Sequence, residues 1–175
     1  MVKKTSNTLI NTLMNIATPP NLDLGPRTEI VDIKTIINQL EPTQKLMPPL
    51  RYQAFYALVL LWNDSWNESH QIVQAHEGNP DCDLVHGLAH RKEGSFSNAK
   101  WWARQLGNHP SFEIIGKELN ELMLPDKELT SILLPAGKYD LLHWVSVFAR
   151  SPKRNGLVQA QAMEWRALAS SWLNY

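Results

Sequence analysis

One cysteine, Cys82, occurs in the whole 175-residue chain. An intramolecular disulfide is therefore excluded, no Cys-x-x-Cys pair offers a zinc or redox site, and a reducing, cytoplasmic setting is the expectation. Charge of one sign is also lacking. Seventeen Lys and Arg balance seventeen Asp and Glu, so no global field draws the chain to nucleic acid or to an anionic membrane surface. Long apolar runs are missing, because the richest stretch, Ala54 to Trp62, falls well short of the ~20 residues a membrane span needs. The start, MVKKTSNTLINTLMNIATPP, has two lysines, but Thr5, Ser6, Asn7, Thr8, Asn11 and Thr12 break up the apolar residues after them. It reads as a helix of the mature protein, not a secretory leader. Glycine-rich phosphate loops, Gly-x-Ser-x-Gly elbows and paired catalytic carboxylates are absent. So is convincing apolar–polar alternation of strands, and no Asn-Gly or Asp-Gly hairpin signal lies between β-branched segments.

What is present is helical spacing. Leu9/Ile10, Leu13/Met14 and Ala17 recur before Pro19-Pro20, and Ile30, Ile33, Ile36/Ile37 and Leu40 recur before Pro42. Helices are then expected at Leu50–Trp62, Trp66–His76, Cys82–Glu93 and Phe96–Leu106, from a Ser111 cap through about Leu122, and at Tyr139–Ala149 and Leu157–Leu173. Ser65 with Glu68 three residues on predicts a capping box, Asp81 and Ser95 are the expected N-caps of the next two helices, and Gly107 closes the second of them. In the last helix Val158, Trp165 and Trp172, with Leu168 between, fall along one face.

A thirty-residue repetition runs through the centre. Residues 63–80, NDSWNESHQIVQAHEGNP, align with residues 93–110, EGSFSNAKWWARQLGNHP, matching Trp66 with Phe96, Ser69 with Ala99, Ile72 with Trp102 and Pro80 with Pro110. Upstream, Ala57 matches Gly87 and Leu58 matches Leu88, small and apolar residues where paired helices approach. This is a duplicated helical hairpin.

The second copy resembles a tetratricopeptide unit in Gly87, Gly94, Phe96, Ala99 and Pro110, and departs from it at Asp83 and His86, where that family carries tryptophan and leucine. His90-Arg91, Glu93-Gly94, Phe96, Asn98-Ala99, Trp102, Arg104 and His109-Pro110, with LLWNDSWNESHQIVQ before and QAMEWRALASSWL after, are also similar to a family of uncharacterised helical proteins of bacteria and fungi. That resemblance implies a helical fold and a place to look, and no mechanism.

His86 and His90 stand at i and i+4, on one helix face at a spacing that suits a metal. They lack the His-Glu-x-x-His context, and in the alignment they replace Tyr56 and Leu60, which face the partner helix of copy one. Imidazoles hydrogen-bonded inside the hairpin, a metal site with His109 as third ligand, and a small polar pocket are the three readings. Arg91 and Lys92 are explained by the negative end of the helix dipole, and Glu93 by an ion pair with Arg104 or Arg91; a general acid–base role for Glu93 is the alternative. Trp102 replaces Ile72 and belongs to the core, whereas Trp101 replaces Gln71 and lies nearer the surface, packed on the 111–122 helix or free to contact a ligand beside Lys100 and Arg104. Cys82, near a helix N-terminus but flanked by Asp81 and Asp83, is incidental and not a nucleophile. Arg150, Lys153 and Arg154 form a solvated loop without the aromatics of a nucleic-acid surface.

The sequence thus specifies an all-α chain, residues 1–175 as a single domain of about seven to nine helices around two tetratricopeptide-like hairpins. Residues 22–49 hold an N-terminal helix and Pro-rich linker, 50–110 the hairpins and 111–175 the C-terminal helices. A binding or scaffold module for a protein, peptide or small molecule is the leading expectation, with no cofactor, and His86, His90, Arg91, Glu93, Trp101 and Arg104 as its candidate contacts. A small-molecule-binding or metal-dependent enzyme with a polar pocket at His86, His90 and Glu93 is the competing one.

Overall fold

Proline, asparagine and glycine at the helix ends set the order of the elements. The computed structural model describes residues 10–14, 35, 38, 41–122, 127–153 and 155–173. After a helical segment at residues 10–13 and a 3-10 helix Glu41–Leu46 come α1 (Pro49–Trp62), α2 (Trp66–Gln74), α3 (Pro80–Lys92), α4 (Phe96–Leu106), α5 (Ser111–Leu122) and α6 (Lys127–Leu133). A 3-10 turn Pro135–Gly137, α7 (Leu141–Arg150) and α8 (Leu157–Leu173) follow among the described residues. No strand occurs among the described residues, and no helix among them is long and apolar enough to cross a membrane. The expected helix at 30–40 falls mostly outside the described residues, as do Ala17, Pro19, Pro20 and Arg154.

α1 packs on α2, α3 on α4, and α3 also on both α1 and α2. The two intervening turns make the same bonds thirty residues apart. Ser65 N–H donates to Leu60 O and Ser95 N–H to His90 O; Asp64 N–H donates to Leu61 O and Gly94 N–H to Arg91 O. Asp64 and Gly94 both take positive φ, 62° and 81°, which an aspartate tolerates and a glycine adopts freely. Small residues allow the close approach: a Cβ on Gly87 would lie 3.3 Å from Trp102 Cβ.

Three capping expectations are corrected. Ser65 and Ser95 make no side-chain cap, because ψ near 65° turns each hydroxyl away from the N–H groups it would reach from an extended backbone, so the Ser65–Glu68 box does not form. The cap of α3 is Asn79, accepting from Cys82 N–H at 3.2 Å, and not Asp81. Pro80 at the first helical position supplies the right φ and needs no hydrogen bond, so the helix starts earlier than expected. Asp81 is thereby released for other partners. α6 has no counterpart among the expected helices; seven residues carry too little periodicity to read, and Leu129 and Leu133 hold it by burial against its neighbours.

α8 is the axis of the core and packs on α5 and α1. Trp165 and Trp172 are fully buried, yet so are Ala160, Ala162, Ala167 and Ala169 around the rest of its girth, while Val158 is only half-buried. The single apolar face expected from the seven-residue spacing is therefore an apolar girth, as befits a helix surrounded by others. Three polar residues on it, Gln161, Glu164 and Ser171, are buried as well. Glu164 and Gln161 meet Arg91 of α3, whose guanidinium forks onto both Glu164 oxygens (Nη1 to Oε1 at 2.9 Å) and lies 4.5 Å from the Phe148 ring centre. Tyr139 O–H donates to the same carboxylate.

Candidate functional site

Two histidines four residues apart on α3 must point to the same side of that helix. The side they take is the one against α2, the second helix of the preceding hairpin, and there His70 meets them. One nitrogen from each of His70, His86 and His90 lies within 4.8 Å of the others. His70 Nε2 and His86 Nε2 are 3.0 Å apart. The ring centres stand 4.7 Å (His70–His86), 5.1 Å (His70–His90) and 4.8 Å (His86–His90) from one another.

Tryptophans wall this cluster. Trp66 of α2 stacks on His70 at 4.6 Å and anchors to α3 through its indole N–H, which donates to Ala89 O at 2.9 Å. Trp102 of α4 stacks on His86 at 4.2 Å. Trp101 stands edge-on to Trp102 at 4.7 Å and is 50% exposed, so a row of rings leads from solvent to the buried His86. Arg104, one turn along α4, is exposed as well.

Glu93 caps the C-terminus of α3 beside the cluster. His90 Nδ1–H donates to Glu93 Oε1 at 2.5 Å, since a carboxylate can only accept. That bond replaces the ion pair with Arg104 or Arg91 expected for Glu93, because the i, i+3 spacing puts His90 directly beneath it. In the neutral ring that bond selects the tautomer with its proton on Nδ1 and its lone pair on Nε2.

His86 is the most constrained of the three, with its side chain 3% exposed. Burial pushes its pKa down to about 3, and the neighbouring His90 and His70 push it the same way. His70 is lowered too, first by burial and then by His90. Both rings are neutral at physiological pH. The bonding of His86 is incomplete, however. Nδ1 of His86 is buried with no hydrogen-bond partner, and Glu77, the nearest carboxylate, stands 4.0 Å away. If His86 Nε2 donates to His70, its Nδ1 is a bare acceptor facing an anion; if it accepts, its Nδ1–H has nothing in reach.

The remaining candidates separate from this cluster. His109 does not join it: its Nδ1 accepts from Ser111 N–H at 3.1 Å and its Nε2 lies 3.2 Å from Asp81 Oδ1, at the opposite end of α3. His70 takes the place expected for His109. Arg91 is 1% exposed and committed to Glu164, so it is a core residue and not a ligand contact; it stands in the last turn of α3 as the helix dipole favours, but Glu164 of α8 covers it there. Lys92 is buried likewise, its Nζ 2.6 Å from Asp64 Oδ1. Cys82 is buried with its thiol pushed up to about 12, by burial first and then by Asp81 and Asp83. It is inert as a nucleophile.

Thirty residues earlier the same hairpin face is apolar and open. Tyr56 and Leu60, at the places of His86 and His90, line a groove of about 410 Å³ with Gln71, Ile72 and Ala75. Ile72 leaves there the space that Trp102 fills in the second hairpin. No family model matches the chain, and no curated protein or solved structure matches it.

Two residues of the cluster escaped sequence reasoning. His70 aligns with Lys100, so the internal repetition does not mark it. The available signal was its position four residues after Trp66 on the second helix of one hairpin, which stacked hairpins lay against the first helix of the next. Glu77 follows from the same stacking.

Proposed function

We propose that the chain is a ligand-binding module in which two helical hairpins stack and the histidine–tryptophan pocket at their junction is the site. The observation that carries this is the buried, unpartnered Nδ1 of His86 beside the facing Nε2 atoms of His86 and His70. Buried polar atoms without partners cost stability, and a position free to vary would carry the leucine or tyrosine of copy one instead. On this reading the hairpins are a divergent tetratricopeptide-like pair, supported by the matching turns at Asp64-Ser65 and Gly94-Ser95. Trp101 and Arg104 then form the rim of the site.

Binding is favoured over catalysis because the groups that could act chemically are engaged. Glu93 is held by His90, both nitrogens of His109 are occupied, and Cys82 is a buried thiol. The test replaces both imidazoles by leucine, which copy one carries at the place of His90, in protein dialysed against chelator. His86→Leu/His90→Leu is expected to melt several degrees higher than the parent, at roughly 2–4 °C per kcal/mol for a chain of this size. A lower melting temperature would mean that the imidazoles serve the packing, and the reading would fall.

A further inference from the structure

Resting on that reading of the junction, we propose that His70, His86 and His90 hold one divalent transition-metal ion of the zinc, copper or nickel class, with Glu93 fixing the orientation of His90. Three imidazole nitrogens from two adjacent helices converge within 4.8 Å. Ligand nitrogens on a tetrahedral zinc, each at about 2.0–2.1 Å, are roughly 3.3 Å apart. The 3.0 Å separation of the His70 and His86 Nε2 atoms is already close to that. The widest pair needs to close by at most about 1.5 Å, and half-buried His70 has room to turn.

A cation also resolves the bonding that the protein alone leaves incomplete. With both Nε2 lone pairs directed at a metal, neither has to donate to the other. His86 then carries its proton on Nδ1, facing the Glu77 carboxylate at 4.0 Å, close enough for one bridging water or a small closure. His90 already has the corresponding arrangement, Nδ1–H on Glu93 and Nε2 free. A carboxylate behind a ligating imidazole is the usual support of such sites, raising the basicity of the ligand and fixing its ring.

The donor set defines the metal class. Nitrogen ligands suit zinc, copper and nickel; magnesium and calcium require oxygens, and Cys82, in the first turn of α3 and in contact with Leu50 O, supplies no thiolate here. Three protein ligands leave a fourth position for water or for a donor atom of a second ligand. The exposed edge of the cluster, at His70 and Glu77, is where that position opens.

The experiment uses the full chain after dialysis against chelator, titrated separately with zinc, copper(II) and nickel chloride by calorimetry, with cobalt(II) absorption as the geometric readout. Saturable uptake of about one ion per chain is expected, with intense visible cobalt bands of tetrahedral coordination. His70→Ala, at a half-exposed position that leaves the fold intact, should weaken binding by at least tenfold, and Glu93→Gln by about 10- to 100-fold. His109→Asn should leave affinity unchanged. No saturable uptake by the folded parent, or uptake indifferent to His70→Ala, overturns the assignment. If uptake fails while His86→Leu/His90→Leu still raises the melting temperature, the junction binds some other ligand and only the metal is wrong. If the double substitution lowers it as well, the underlying reading has failed too.

Discussion

Replacing Arg91 by Met tests whether this arginine belongs to the core or to a binding surface. Its guanidinium forks onto Glu164, reaches Gln161 at 3.4 Å and covers the Phe148 ring. The substitution removes all three contacts and leaves the Glu164 carboxylate, itself 1% exposed, with Tyr139 O–H as its remaining donor. Stranding one member of a buried pair costs about 3–5 kcal/mol, a large share of the 5–15 kcal/mol by which a domain is stable. At roughly 2–4 °C per kcal/mol the melting temperature should fall by about 6–20 °C. Urea unfolding followed by far-ultraviolet circular dichroism would show the midpoint shifting at constant slope. The companion variant Arg91→Met/Tyr139→Phe/Glu164→Leu removes the charges and the hydroxyl together, and should recover most of the loss. A single-variant cost below about 1 kcal/mol would refute the reasoning, because a desolvated carboxylate cannot be stranded so cheaply.

Three other outcomes are expected. Asp81 experiences burial, which raises its pKa, but hydrogen bonds from His109 and Arg51 outweigh it and the net shift is downward; its stabilisation is therefore complete above the ordinary carboxylate value and is lost as pH falls through the lower folded value. Asp81→Asn should flatten the acid limb of a stability–pH curve below about pH 4, and an unchanged limb would show that the pair contributes nothing. Cys82 should resist an aromatic disulfide reagent in native protein and react at once in denaturant, whereas rapid native labelling would contradict its burial. Trp101→Ala, at a half-exposed ring, should cost about 1 kcal/mol, against about 3–5 kcal/mol for buried Trp102→Ala; equal losses in thermal melts would place Trp101 in the core.

The helices α1, α4, α5 and α8 end within a residue or so of where periodicity and punctuation put them, because proline, glycine and polar caps act over one turn of chain. Helix starts chosen by side-chain chemistry fared worse. Ser65 and Ser95 lost their capping role to the tight turn geometry, and Asp81 lost its own to Pro80 and Asn79. The exposure of Trp101 and burial of Trp102 were legible from the repeat, as Gln71 and Ile72 stand in their places.

The site was half legible. His86 and His90 are neighbours by helix geometry alone, and four-residue spacing cannot separate them. Their third partner depends on which helix lies across from α3. His109, near in sequence, turns to Asp81 at the far end of α3, whereas His70, twenty residues before His90, is brought opposite by hairpin stacking. Arg91 illustrates the same limit. Its place in the last turn of a helix is a local fact, but its burial against Glu164, 73 residues away, is decided when α8 enters the core.

By itself, then, the order of residues determined an all-helical chain, most of its helix boundaries and the pairing of its central hairpins, since these depend on backbone propensities and contacts within about thirty residues. Which imidazoles meet, which charges are buried and which atoms remain without partners were decided only by tertiary packing. Those properties depend on the distance between surfaces far apart in the chain, and the local pattern carries no measure of that distance.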